Sequence, residues 1–212
     1  MRIVVLGAPG AGKGTQARNL AKYFNAPHIS TGDMLREHMK NGTEIGNSIR
    51  ELMDHGELVS DELVYQLVRP VIEGGNYILD GFPRTLAQAK TLEAMTKELR
   101  SPINCVVSVE VSDEVIMERM TGRVTCPDCG AMFHLVYYPP KEAGLCDACG
   151  HELVQREDDK ARTVQNRLRI YHEMTKPIIS YYRAQGILLE VDGVGDMQDI
   201  ASRLIQALEE GK

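Results

Sequence analysis

The sequence predicts an α/β protein: a parallel sheet of about five strands flanked by helices, interrupted by two insertions. Three observations predict it. Short apolar, β-rich runs at residues 3–6, 77–79, 105–111 and 187–191 alternate with long helical patterns, the rhythm of parallel strands joined by crossover helices. The first run leads directly into a glycine-rich turn and then a helical pattern. Two stretches, 30–59 and 122–159, break the alternation.

A fifth strand is expected over 28–29. Apolar residues three or four apart predict helices over 16–24, 63–72, 86–99, 113–120 and 164–182. Ser60, followed by Asp61 and Glu62, reads as a helix start, because a capping hydroxyl and early acidic residues suit free amides and the positive dipole end. Pro177 should kink or end its helix. Residues 30–59 have the pattern of short helices without a strand, while 122–159 are rich in Cys, Gly, Pro and charge. The organisation expected is a core of residues 1–29, 60–121 and 160–212, with insertions at 30–59 and 122–159.

A chain of 212 residues can bury one full core and still carry such excursions. Its 43% hydrophobic and 25% charged residues are ordinary globular values and argue against a disordered or fibrous protein. The net charge of -6 gives no general attraction to nucleic acid or to an anionic membrane, so neither is an expected partner. The apolar run before Gly7 is too short for a signal-peptide core or a membrane span, which leaves a cytoplasmic location as the expectation.

Gly7-Ala8-Pro9-Gly10-Ala11-Gly12-Lys13-Gly14-Thr15 follows the first strand and opens a helix, the context a phosphate-binding P-loop requires. Glycines let the backbone curl so that amides face an anion, the helix dipole adds partial positive charge, and Lys13 adds a full one. Gly10, Ala11, Gly12, Lys13, Gly14 and Thr15 are therefore the candidate nucleotide phosphate site, in a P-loop NTPase-like sheet. Gly14 stands where the usual motif has a hydroxyl, and Thr15 follows one residue later, so magnesium is expected to be held mainly by phosphates and water.

The strand at 77–79 delivers Asp80 at its carboxyl end, where ligands bind in open α/β sheets. That makes Asp80 the candidate magnesium partner, through water. Gly81-Phe82-Pro83-Arg84 then supplies a close-approach glycine, a rigid turn and a guanidinium able to grip a phosphate bidentately.

Four of the five cysteines form two CxxC pairs, Cys126/Cys129 and Cys146/Cys149, separated by sixteen residues. This is the spacing of a tetrahedral four-thiolate site, for which one structural zinc ion is the expected occupant; iron or cobalt would accept the same ligands, and two disulfides are the alternative in an oxidising compartment. His134 and His151 lie nearby but are not needed as ligands. Cys105 reads as a buried strand thiol, Tyr181 and Tyr182 as packing residues, and Arg169 as surface, while His28, His38, His55 and His172 belong to no motif.

Taken together, GAPGAGKGT, STGDMLR, GELVSDELV and DGFPRTLAQA resemble the adenylate kinase family of nucleoside monophosphate kinases, over essentially the whole chain and in the form with a long metal-binding lid. The resemblance implies reversible transfer of the terminal phosphoryl of ATP to AMP, giving two ADP. It makes 30–59 an AMP-binding insertion and 122–159 a zinc-binding lid. Thr31, Arg36, Glu57, Leu58, Val59, Gly81, Phe82, Pro83, Arg84 and Gln88 would surround AMP, with Arg36 and Arg84 on its phosphate and Gln88 at its adenine. On the ATP side, Arg123 would meet the phosphates, Arg119 the adenine, and Met132, Phe133 and Gly195 would contribute nearby backbone. Arg156 and Arg167 would span the phosphates of both nucleotides, with Asp158 and Asp159 orienting the lid arginines.

The implied catalytic set is Lys13, Arg84, Arg123, Arg156 and Arg167, acting with magnesium. Because the second pKa of a phosphate monoester lies near ~6, the acceptor is already largely a dianion at neutral pH, and no His/Cys/Ser constellation is called for. Bringing two anions into line requires cations and exclusion of water, which predicts closure of both insertions over the crevice. A kinase acting on UMP, CMP or GMP is the rival within the class; a nucleotide-regulated zinc-ribbon protein without transferase activity is the rival outside it. A monomer is expected.

Overall fold

The computed structural model describes residues 1–73 and 75–210, so Gly74, Gly211 and Lys212 of the predicted core lie outside the described residues. Five strands form one parallel sheet in the order β2-β3-β1-β4-β7: β1 Arg2–Gly7, β2 His28–Ser30, β3 Tyr77–Asp80, β4 Cys105–Glu110 and β7 Leu188–Asp192. Ile3, Val4, Val5 and Leu6 on the central strand are buried on both faces, which is why β1 reads as an unbroken apolar run. Its register sets Val5 opposite Asp80 on one side and Leu6 opposite Ser108 on the other, so the carboxyl ends of β1, β3 and β4 finish together.

Helix α1, Lys13–Tyr23, starts three residues before the predicted 16–24 because Gly12 takes a left-handed conformation (φ 97°) and turns the chain straight into the helix. Helix α9, Met197–Glu210, was not predicted; its Ile200, Leu204 and Leu208 pack with Ile3, Ala17 and Leu20 on one face of the sheet. The other face is covered by α4 (Asp61–Ile72), α5 (Leu86–Glu98) and α8 (Pro177–Ala184), through Val68, Ile72, Leu92, Ile178 and Tyr182. A third cluster joins α6 (Asp113–Thr121) to α7 (Ala161–Ile170) through Ile116, Met120, Val164 and Leu168.

The stretch 30–59 forms α2 (Thr31–Lys40) and α3 (Glu44–His55), as its pattern predicts. Ser30 Oγ accepts from Asp33 N–H at 3.2 Å and Thr43 Oγ1 from Gly46 N–H at 3.0 Å, capping each helix start. In 122–159, β5 (Arg123–Thr125) and β6 (Met132–His134) pair antiparallel.

Three expectations need correction. Residues 164–182 are not one helix: α7 gives way at Tyr171–Thr175 to a wider π turn before α8, because Pro177 has no N–H to continue the regular ladder. Ser60 occupies the cap of α4, yet its hydroxyl makes no capping bond; Asp61 and Glu62 alone complement the dipole. Cys105 is only partly buried at the start of β4, though burial still pushes its thiol up to about 11.

Candidate active site

The glycine turn is built by close approach. A side chain at Gly7 (φ 142°) would bring Cβ within 2.6 Å of Val109 O, and one at Gly10 (φ 81°) within 2.6 Å of Met120 Cγ. The loop closes through Ala11 N–H to Ala8 O at 3.1 Å and delivers Lys13 into the first turn of α1, where Nζ donates to Ala8 O at 2.7 Å. Burial pulls the Lys13 ammonium down to about 8; Asp80 opposes the shift, while Arg84, Arg167 and Arg123 add to it.

Above the strand ends opens a crevice of about 700 Å³. Gly10, Ala11, Gly12, Lys13, Gly14 and Thr15 line it. So do Asp80, Gly81, Arg84, Arg36, Arg119, Arg123, Met132, Phe133, Arg156, Arg167 and Gly195. A smaller cavity of about 70 Å³ shares Lys13, Arg84 and Arg167 with it and is also bounded by Leu58, Pro83 and Thr175, among others.

Thr31, Glu57, Val59, Phe82 and Gln88 do not line either space. Phe82 is wholly buried, edge-on to Tyr65 at 5.9 Å. Thr31 Oγ1 donates to Asp80 O at 3.4 Å, tying α2 to the end of β3. Gln88 is 2% exposed, and its amide is partly committed: Oε1 accepts from Arg84 N–H at 2.7 Å and Nε2 donates to Asp61 Oδ1 at 2.6 Å. These bonds use one of the two amide N–H groups and one of the oxygen's two lone pairs.

Acids hold Arg123, Arg167 and Arg36. Arg123 Nε donates to Asp159 Oδ2 at 2.7 Å, and its Nη2 to Oδ1. Arg167 Nη1 donates to the main-chain O and to Oδ2 of Asp158, both at 2.9 Å, and lies 3.5 Å from Asp159 Oδ1. Arg36 Nη2 donates to Asp33 Oδ1 at 2.6 Å. Arg119 Nη2 reaches Gly193 O at 3.0 Å, joining α6 to the loop that carries Gly195. Burial brings Arg156 and Arg167 down to about 10, with neighbouring cations adding to the shift, and lowers Arg84 as well. Positive groups thus crowd each other away from water, an arrangement that a polyanion relieves.

Cys126, Cys129, Cys146 and Cys149 converge in the insertion, with Sγ–Sγ separations of 3.4 Å for Cys126–Cys149 and Cys129–Cys149 and 3.5 Å for Cys129–Cys146. These exceed the disulfide bond length of about 2.05 Å and are slightly under the roughly 3.8 Å edge of a tetrahedron of Zn–S bonds. The two knuckles are alike: Gly130 N–H donates to Cys126 O and Gly150 N–H to Cys146 O, each glycine at φ 74°. The main-chain N–H of Cys129 is the chief influence lowering the Cys126 thiol to about 6, whereas the neighbouring thiols raise Cys129 and Cys149, so without a cation the crowded sulfurs do not all ionise together. The donor set fits a structural zinc ion. His134 lies outside the cluster, its Nδ1 accepting from Val136 N–H at 3.0 Å, whereas His151 forms an exposed group with Asp128 and Cys149.

Sequence reasoning missed two contributors, Asp61 against Gln88 and Thr175 against Arg84. No local signal identifies either partnership, which spans 27 residues in the first case and 91 in the second.

The family model for adenylate kinase matches residues 5–187. The chain is 50% identical to an adenylate kinase of Caldicellulosiruptor bescii, over 98% of this chain and 99% of that protein. It is also 50% identical to one of Archaeoglobus fulgidus over the full length of both, and 43% identical to one of Methanothrix thermoacetophila over 98% of each. With a P-loop and half-buried arginines lining one crevice, and with relatives that match it over 98% or more of its length, this chain belongs to the adenylate kinase family.

Proposed function

We infer that the protein catalyses reversible transfer of the terminal phosphoryl group of magnesium-bound ATP to AMP, giving two ADP. The observation that carries the reading is the crowding of Lys13, Arg84, Arg156 and Arg167, each pulled down by burial, around one crevice at the ends of the parallel strands. Such a site is preorganised for several phosphates at once, and its dipoles and charges need little rearrangement as charge spreads in the transition state.

The P-loop amides and Lys13 hold the β- and γ-phosphates of ATP, with Arg119, Met132, Phe133 and Gly195 toward its base. Arg36 and Arg84 hold the AMP phosphate, and the free N–H and lone pair of Gln88 meet the adenine edge, with Thr31, Glu57, Leu58, Val59, Gly81, Phe82 and Pro83 shaping that side. Arg123, Arg156 and Arg167 bridge the two anions, so the acceptor oxygen attacks in line and no covalent intermediate forms. Magnesium entering with ATP neutralises phosphate charge, and Asp80 is the candidate to hold its water shell.

Residues 30–59 act as the AMP-binding unit and 122–159 as the lid, both closing on the core. A contact between them supports closure: Lys40 Nζ at the end of α2 donates to Asp128 O in the first cysteine knuckle at 3.0 Å. Cys126, Cys129, Cys146 and Cys149 would hold one zinc ion, which with four thiolates has no open position and serves to fold the lid. Among the described residues no helix is long and apolar enough to cross a membrane. The proposed location is the reducing cytoplasm, where paired cysteines serve as metal ligands, and the proposed working unit is the monomer.

Incubating the protein with ATP and each of AMP, GMP, CMP and UMP tests the reading. Diphosphate formation should favour AMP strongly; preference for another monophosphate would leave the phosphate machinery standing and overturn the base assignment of Gln88.

A further inference from the structure

Between α7 and α8 the chain is wound as the π turn Tyr171–Thr175, closed by Lys176 N–H donating to Tyr171 O at 2.8 Å. Wider turns of this kind occur mostly as single bulges inside helices and frequently at functional sites. Pro177 accounts for the interrupted ladder, but not for the destination of Thr175. That residue is buried, and its Oγ1 donates to the main-chain carbonyl of Arg84 at 2.8 Å, across 91 residues of sequence.

Two further bonds hold Arg84: its N–H donates to Gln88 Oε1 and its Nε to Gly81 O, both at 2.7 Å. Both arise within the loop after β3 and the first turn of α5. Thr175 instead ties the Arg84 carbonyl to a segment distant in sequence, and it borders the small cavity together with Lys13, Arg84 and Arg167.

We propose that Thr175 is a positioning residue for phosphoryl transfer: the π turn holds its hydroxyl on the Arg84 carbonyl, and this fixes the depth at which the Arg84 guanidinium meets the AMP phosphate. The proposal rests on the ATP:AMP reading above. A displacement of about 1 Å originating far from the reacting atoms can cost on the order of 10²-fold in rate, so a main-chain tether behind a phosphate-binding arginine is a sensitive place to act.

The test measures kcat, KM for ATP, KM for AMP and Tm for wild type, Thr175→Val, Thr175→Ser and Arg84→Lys, and for Arg84→Lys combined with Thr175→Val. Valine keeps the shape and removes the donor. It should lower kcat about tenfold while KM for ATP changes less than about twofold, and serine, which keeps the donor, should recover most of the loss. In the Arg84→Lys background the valine should cost under about twofold, because residues acting through one another are not additive.

A valine variant as active as wild type, or a valine penalty undiminished in the Arg84→Lys background, overturns the proposal, the second outcome assigning Thr175 to α8 packing alone. Should Thr175→Val not fold, Thr175→Ala, which leaves space in place of a misfitting methyl, is read by the same criteria. Failure of wild type to convert ATP and AMP would instead remove the underlying functional reading.

Discussion

Arg123 and Asp159 form a two-pronged ion pair: the carboxylate, with no exposed surface, accepts from Nε of the guanidinium at 2.7 Å through one oxygen and from Nη2 through the other. The same Asp159 lies 3.5 Å from Arg167, so one buried charge holds an arginine of β5 and one of α7 at the edge of the same crevice. Replacing it by Asn preserves shape and removes the compensation. Breaking a buried pair from one side costs about 3 kcal/mol. Asp159→Asn should therefore lower Tm by roughly 6–12 °C in calorimetry and reduce kcat more than KM. An unchanged Tm would mean that the pair contributes nothing to holding the arginines.

Lys13, proposed above to hold ATP phosphates, should give the activity a pH limit. Burial brings its ammonium to about 8 in the free protein, so the charge offered to ATP is present below that pH and is lost as pH rises through it. Bound phosphates favour the charged form and push the pKa back up. Hence kcat/KM for ATP should fall above about pH 8 while kcat, which reports the bound complex, holds to higher pH. Lys13→Met should cost on the order of 10²–10³ in kcat and abolish the alkaline limb. Identical alkaline limbs in wild type and Lys13→Met would assign the titration to another group.

Asp61 fixes which way the Gln88 amide faces, because a carboxylate accepts and never donates. Asp61→Ala removes that orienting bond, and hydrogen bonds to charged groups contribute about 1.5–3 kcal/mol. KM for AMP should rise about tenfold with KM for ATP nearly unchanged, and discrimination against GMP should weaken. Equal changes in both KM values would show a general effect on folding.

Purified protein should carry one zinc ion, measured by elemental mass spectrometry. Removing it with a chelator, or replacing Cys146 by Ser, should lower Tm and unfold 122–159 preferentially in hydrogen exchange, since structural zinc contributes folding energy directly. Full protection of the lid without metal would contradict the assignment.

What the sequence disclosed was whatever chemistry is written locally. The P-loop is contiguous with its strand and helix, and each CxxC pair makes its own knuckle, so spacing alone identified them. Helix α9 was open to the same reasoning, for Ile200, Leu204 and Leu208 stand at helical spacing, and the pattern was overlooked. The partnerships of Thr175 with Arg84, Asp61 with Gln88 and Arg123 with Asp159 were a different matter, because each depends on how elements distant in sequence pack. Resemblance singled out Arg123 and Arg167 and the acids that orient them, but spacing could not say which oxygen meets which nitrogen. Nor could the helical pattern of 164–182 reveal the π turn, since a proline marks an interruption without specifying its form.

The central claim, that the crevice moves a phosphoryl group between two nucleotides and not to water, is tested most directly by following all phosphate species in magnesium-containing solution, with ATP alone and with ATP plus AMP. Two ADP should form for each ATP consumed when AMP is present, with negligible phosphate release when it is absent. Release of inorganic phosphate from ATP at a rate indifferent to AMP, or no conversion by folded, zinc-loaded protein, would contradict it.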